Sequence, residues 1–138
     1  MEVNAVVVDT CALVAFLERD GAATAAALRA FDRLLVPAAV DAEFRAGCDP
    51  ATRSGRRRVA VLDEFLRNRA VEFLPAGREE SSLYAELFRH LKAAGTPVPS
   101  NDIWIAASAL VRNVPVCTTD RQYSRFPLLR LVVPEGDA

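Results

Sequence analysis

Several residue types that enzymes commonly rely on are nearly missing from this chain. Histidine occurs once, as His90, and lysine once, as Lys92. Any Ser-His-Asp or Cys-His scheme, or any histidine-rich metal site, must therefore be built on His90. That residue lies between Arg89 and Lys92 on a solvated helix face, which marks it as structural. The three cysteines, Cys11, Cys48 and Cys117, form no CxxC pair and leave one over in any disulfide scheme. They read as reduced small hydrophobes, and a zinc site is not expected. Neither a GxGxxG loop nor a phosphate-loop signature occurs. No apolar run approaches the length that crosses a bilayer, and the first residues enter a strand without the basic start and cleavage site of a signal peptide. A cytoplasmic location is the expectation. A net charge of -1, from 17 basic and 18 acidic residues, exerts no global pull toward nucleic acid or membrane. Polyanion binding must come from local patches.

What is present is a core. With 138 residues and 51% hydrophobic content, a single domain over residues 1–134 with a short tail at 135–138 is expected. Val3 to Thr10 is β-branched and apolar on consecutive positions, as suits a central strand covered on both faces, and it stops on Asp9. Cys11 to Leu17 reads as a helix. Asp9 thus falls at the carboxyl edge of a sheet, where open α/β folds place ligands, although alone it is read more simply as a helix cap. Glu18 to Gly21 is a polar break, and Ala22 to Leu34 reads as a second helix with Ala23, Ala26, Ala27, Ala30, Phe31 and Leu34 inward. Leu34-Leu35-Val36 is a strand closed by Pro37. Ala38 to Gly47 is a third helix, with Val40, Phe44 and Gly47 on one face, Glu43 on or beside it, and Asp41 and Arg45 pointing elsewhere.

Cys48 to Gly55 is turn-rich and expected to be a mobile loop, after which Arg56-Arg57-Arg58 opens a helix running through Val59, Leu62, Phe65 and Leu66. This is the one concentrated positive patch. Arginine is awkward at a helix amino terminus, so a phosphate partner competes evenly with a solvated surface as its explanation. Val71 to Pro75 reads as a strand and Ala76 to Ala94 as a long helix ended by Gly95, with Leu83, Leu87 and Leu91 in line and Tyr84 and Phe88 beside them. Asp102 to Val111 is apolar almost all round and reads as the central buried helix. Val114 to Thr119 is a further strand ending on Asp120, and Leu129 to Pro134 is the last. The alternation implies an α/β three-layer sandwich around a mainly parallel sheet of about five strands.

Four acids now converge in the reading: Asp9 and Asp120 at strand ends, Asp102 at the start of a buried helix, and Glu43 beside an inward face. Without a matched lysine they repel one another unless a cation sits between them. Oxygen-only ligands suit magnesium or manganese, and the implied chemistry is phosphodiester hydrolysis. Once Asp9 is a ligand, Thr10 is expected to take over the capping of the first helix.

The motifs Val8-Asp9-Thr10, Val40-Asp41-Ala42-Glu43, Asn101-Asp102-Ile103-Trp104-Ile105-Ala106-Ala107 and Thr118-Thr119-Asp120-Arg121, in this order, span essentially the whole chain. In them the sequence resembles PIN-domain ribonucleases, and most closely the VapC-type toxins of bacterial toxin–antitoxin pairs. The resemblance implies an endoribonuclease whose catalytic and metal-binding quartet is Asp9, Glu43, Asp102 and Asp120. It implies one or two Mg2+ or Mn2+ ions, with Thr118 helping to hold metal-bound water or substrate; Thr10 and the patch of Arg56, Arg57 and Arg58 are further candidates, from the residues alone, for placing water or substrate. It further implies a homodimer, a small VapB-like antitoxin as partner, and structured RNA such as tRNA as target. Two positions depart from the usual pattern: Gln122 stands where many relatives carry a further Asp, and Cys11 where Ser is common. Receiver domains resemble the chain less, since they use a lysine at the site, and haloacid-dehalogenase phosphatases need an Asp where Cys11 stands. The remaining alternative is a non-catalytic interaction module of the same fold, whose acidic groove binds a basic partner or RNA.

Overall fold

The computed structural model describes residues 4–18 and 21–135. Val3, the Arg19 and Asp20 of the expected polar break, and most of the expected tail, 136–138, lie outside the described residues. The elements in chain order are β1 (Ala5–Val8), α1 (Thr10–Glu18), α2 (Ala22–Leu28), β2 (Arg33–Pro37), α3 (Ala38–Ala46), α4 (Arg53–Leu66), β3 (Val71–Leu74), α5 (Arg78–Ala93), α6 (Ser100–Arg112), β4 (Val116–Cys117), a 3-10 turn (Arg121–Arg125) and β5 (Leu131–Val132).

The five strands pair in the order β3-β2-β1-β4-β5, and every pairing is parallel. β1 lies at the centre because it is apolar on both faces: Val6, Val7 and Val8 are all 0% exposed. Each such side chain contributes about 2 kcal/mol of hydrophobic stabilisation. The chain steps outward from β1 to β2 to β3, then crosses back to β4. Right-handed crossovers therefore put α1 to α4 on one face and α5 and α6 on the other, giving the three-layer sandwich. α5 and α6 form an antiparallel pair whose connection turns at Gly95, where φ is +71°. α5 buries Leu87 and Leu91, and α6 buries Ile103, Ile105, Ala106, Ala107 and Ala109.

The element boundaries differ from the sequence expectation where long-range pairing overrides local pattern. α2 stops at Leu28, not Leu34, because the N–H groups of Asp32 and Arg33 both donate to the Asn4 carbonyl and draw the chain into the sheet. Its inward residues are Thr24 and Leu28, while Ala26 and Ala30 are exposed. Of the expected loop before Arg56, residues Arg53, Ser54 and Gly55 are already helical. Thr52 caps α4 by accepting from the Gly55 N–H at 2.9 Å. Gly55 packs so closely that a Cβ there would lie 1.9 Å from the Asp49 carbonyl oxygen. β4 and β5 are two residues each, shorter than their apolar runs.

Candidate active site

The carboxyl edge of a parallel sheet collects whatever residue follows each strand. Here β1 is followed by Asp9, and its neighbour β4 by Thr118 and then Asp120. Asp9 is 2% exposed and Thr118 is 0% exposed. Asp9 Oδ1 accepts from the Ala12 N–H at 2.8 Å, and Oδ2 accepts a short hydrogen bond from the Thr118 hydroxyl. The Thr118 oxygen in turn accepts from the Asp120 N–H at 2.9 Å, and Asp120 Oδ1 accepts from the Gln122 N–H at 2.9 Å. Asp120 thereby starts the 3-10 turn.

Thr10 does not cap α1 as expected. Asp9 keeps that role through Ala12, while the buried Thr10 Oγ1 has no hydrogen-bond partner among the described residues. The geometry is simple: an aspartate oxygen at the strand end reaches the N–H three residues on, which is the N-cap contact itself.

Asp102 arrives from the first turn of α6, which begins at Ser100, and its Oδ1 accepts from the Tyr123 hydroxyl at 3.2 Å. Glu43 arrives from α3, and its Oε2 accepts from the Asn101 side-chain amide at 3.2 Å. The sequence expectation had Glu43 at the inward face and Asp41 elsewhere. In the structure Glu43 is exposed, whereas the Asp41 side chain is only 15% exposed and pairs with Arg45. Glu43 thus lies on the rim, toward α6.

The same four acids bear on Cys11, the residue after Thr10. Its thiol is pushed up to about 11, first by burial and then by the charges of Asp9, Asp120, Asp102 and Glu43. Asp9 itself is raised to about 6, chiefly by burial, against the lowering effect of its Thr118 and Ala12 hydrogen bonds, with Asp102 and Asp120 adding repulsion. Asp102 is raised by burial and by Asp120 and Glu43, opposed by the Tyr123 hydroxyl. Burial, with Asp9 and Asp102 near, holds the Tyr123 phenol far above its usual range, so it remains a donor. No ion pair among the described residues includes any of the four acids. All the donors on them are neutral.

The donor set is all oxygen and carries uncompensated negative charge, which fits a hard divalent cation. Among the described residues, however, no three acids close around a single point as a fully enclosing cage requires. The arrangement therefore fits an ion held by one or two carboxylates with water completing its shell, the usual habit of magnesium.

The arginine patch does not join the acids. Arg58 pairs with Glu18, donates to the Gly47 carbonyl at 2.8 Å and lies over the Phe44 ring at 5.6 Å. Glu18 ends the nine-residue α1 that Asp9 begins, which separates the pair from the acids by roughly 13 Å of helix. Arg56 donates to the Pro50 carbonyl at 3.0 Å. Arg57 is exposed and makes no hydrogen bond or ion pair among the described residues. His90 is exposed on α5, as expected. A cleft of about 1340 Å3 opens at the opposite, amino edge of the sheet beside Asn4, Arg33, Arg112 and Arg130, and touches none of the four acids. Its size is no reason to move the site there, because the groups with perturbed protonation lie at the other edge.

Two contacts escaped the sequence reading. Asn101 and Tyr123 each hold a carboxylate from a different element. The one available signal was general: a buried tyrosine hydroxyl needs an acceptor.

Residues 6–129 match the PIN domain. Ribonuclease VapC5 of Mycobacterium tuberculosis is 34% identical over 95 residues, 67% of this chain and 68% of that protein. VapBC-5 of Mycobacterium tuberculosis, a member of the VapBC family of toxin–antitoxin systems, has a solved structure that is 30% identical with a TM-score of 0.72, over 95% of this chain and 98% of that one. VapBC2 from Rickettsia felis, solved bound to a DNA fragment from the promoter, gives a TM-score of 0.84 over 95% of this chain and 99% of that one. At 21% identity it is a likeness of fold alone.

Proposed function

The chain belongs to the PIN domain family, and from that premise we propose that it is a metal-dependent endoribonuclease, the toxin of a toxin–antitoxin pair, with Asp9, Glu43, Asp102 and Asp120 as its site. The observation that carries this reading is the hydrogen-bond geometry at one sheet edge: Thr118 links Asp9 to Asp120, Tyr123 links the Asp120 turn to Asp102, and Asn101, beside Asp102, meets Glu43, with no ion pair to any of the four acids among the described residues. Relatives named as VapC ribonucleases support the substrate class.

Asp9 is the central ligand in this proposal. Its two oxygens are oriented by Ala12 and Thr118, so it cannot rotate without breaking both bonds. Asp102 and Asp120 flank it, and Glu43 on the rim holds water or the incoming strand. The buried Thr10 hydroxyl, unpartnered among the described residues, is free to hold a site water. A bound Mg2+ or Mn2+ would supply an acidified water and neutralise charge on the phosphodiester oxygens. Arg57, the free member of the arginine patch, would meet RNA phosphates outside the acid groove.

By the same reading the partner is a small VapB-like antitoxin, the target structured RNA such as tRNA, and the location cytoplasmic. No helix among the described residues is long and apolar enough to cross a membrane. A homodimer would cover the aromatic surface where Phe88, 47% exposed, stacks on Tyr84 beside Trp104.

The test uses partner-free protein and a panel of structured RNAs, tRNA included. Cleavage is expected with Mg2+ or Mn2+, is expected to stop with EDTA, and is expected to vanish in Asp9→Asn and Asp102→Asn. Unchanged cleavage in both variants refutes the site assignment. If every RNA stays intact while antitoxin binding persists, the non-catalytic module replaces the enzyme.

A further inference from the structure

We infer that Tyr123 is a positioning residue of this site, whose phenol fixes the orientation of Asp102 toward a bound metal ion. The inference rests on the reading of Asp102 as a ligand. Tyr123 sits in the 3-10 turn after Asp120 and is 1% exposed. Its ring tilts against Phe126 at 5.7 Å, and its N–H donates to the Asp120 carbonyl at 3.3 Å. The ring is therefore held by core packing and by the same turn that presents Asp120. From that fixed base the hydroxyl reaches Asp102 Oδ1 at 3.2 Å, across 21 residues of sequence.

A tyrosine of this burial would be explained as packing if its hydroxyl met a backbone carbonyl. It meets instead a site carboxylate, and no other hydrogen bond to that carboxylate exists among the described residues. The consequence is specific. Phe126 and the turn supply the packing that a phenylalanine at 123 would keep, so the oxygen alone carries the contact to Asp102. One carboxylate oxygen is engaged and the other is left open. Because the donor is neutral, Asp102 is oriented without the loss of charge that an arginine or lysine partner would impose. Outer groups of this kind commonly alter metal affinity when removed. Tyr123 also couples two acids from separate elements, Asp120 through the backbone and Asp102 through the side chain.

The experiment titrates Mn2+ into RNA-free protein, followed by electron paramagnetic resonance, for wild type, Tyr123→Phe, Asp102→Asn and the packing control Phe126→Leu. Tyr123→Phe is expected to weaken Mn2+ binding roughly tenfold. Its near-ultraviolet circular dichroism is expected to stay native, with cleavage restored by excess Mn2+. Phe126→Leu is expected to bind Mn2+ as wild type does. Wild-type affinity in Tyr123→Phe while Asp102→Asn is weakened overturns the role of Tyr123 alone. Equal weakening in Tyr123→Phe and Phe126→Leu, or cleavage that excess Mn2+ does not restore, also overturns it, reducing Tyr123 to packing. Unchanged affinity in Asp102→Asn overturns the ligand reading beneath it.

Discussion

The Thr118 hydroxyl donates to Oδ2 of Asp9, joining the ends of β1 and β4, the adjacent parallel strands at the middle of the sheet. Thr118→Val keeps the shape and removes both this donor and the acceptor used by the Asp120 N–H. Leaving such buried groups unpaired costs about 1–3 kcal/mol. The variant should unfold at lower urea concentration and cleave RNA more slowly, while the Gln122 bond to Asp120 is left in place. A urea midpoint and rate equal to wild type would show that the Thr118 bond is dispensable.

Asp9 makes the metal-free protein pH-sensitive. Its carboxyl titrates near 6 in the fold against an ordinary 3.8. An acid that holds its proton more tightly when folded favours the native state fully below its unfolded value. That contribution is lost as pH rises through the folded value. Between pH 4 and pH 7 the loss is on the order of 2 kcal/mol. Urea denaturation in EDTA should show this fall, and Asp9→Asn should lack it. Added Mn2+ should raise the stability of the wild type near pH 7 and do little for the variant.

The arginine run should divide by residue. Arg58→Ala breaks the pair with Glu18 and the bond to Gly47, so its expected effect is a lower melting midpoint with little change in the salt dependence of RNA binding. Arg57→Ala should leave the melting midpoint alone and reduce the slope of log affinity against log salt by about one. Filter binding at several salt concentrations separates the two. An unchanged slope for Arg57→Ala would return the patch to ordinary surface.

Gly55→Ala tests the start of α4. The added methyl would meet the Asp49 backbone, which has no flexible end to give way. Overpacking of this kind costs about 1–3 kcal/mol or more. The helix should fray up to Arg56, visible as faster amide exchange in residues 53–58. Native-like exchange there would mean that the 49–52 turn moves aside at little cost.

The strand ends were legible from sequence because burial on both faces leaves no choice of residue. Val6, Val7 and Val8 announce a central strand, and a carboxylate after such a run has one place to be, the sheet edge. Asp102 was legible for the same reason, heading a helix that is apolar on most sides. Glu43 was placed on the right element but with the wrong exposure, since helical spacing fixes an angle around the axis and not the depth of the neighbouring groove. The length of α2 failed because the Asn4 carbonyl, far away in sequence, captures the N–H groups of Asp32 and Arg33. Arg58 looked like part of a phosphate-binding patch because nothing local reveals Glu18 across the α1–α4 contact. Tyr123 and Asn101 were missed because one neutral hydroxyl and one amide carry no pattern until the fold supplies their acceptors.

Among the described residues every donor that holds the four acids is uncharged: two backbone amides, a threonine, an asparagine and a tyrosine. The acids are thus held in place with no cationic side chain bonded to them among the described residues, and a polyanion approaching them alone meets their negative charge. If the chain is the proposed ribonuclease, arrival has an order: a small cation is drawn in before a phosphodiester, and the ionic composition of the surrounding solution then governs access to the acids.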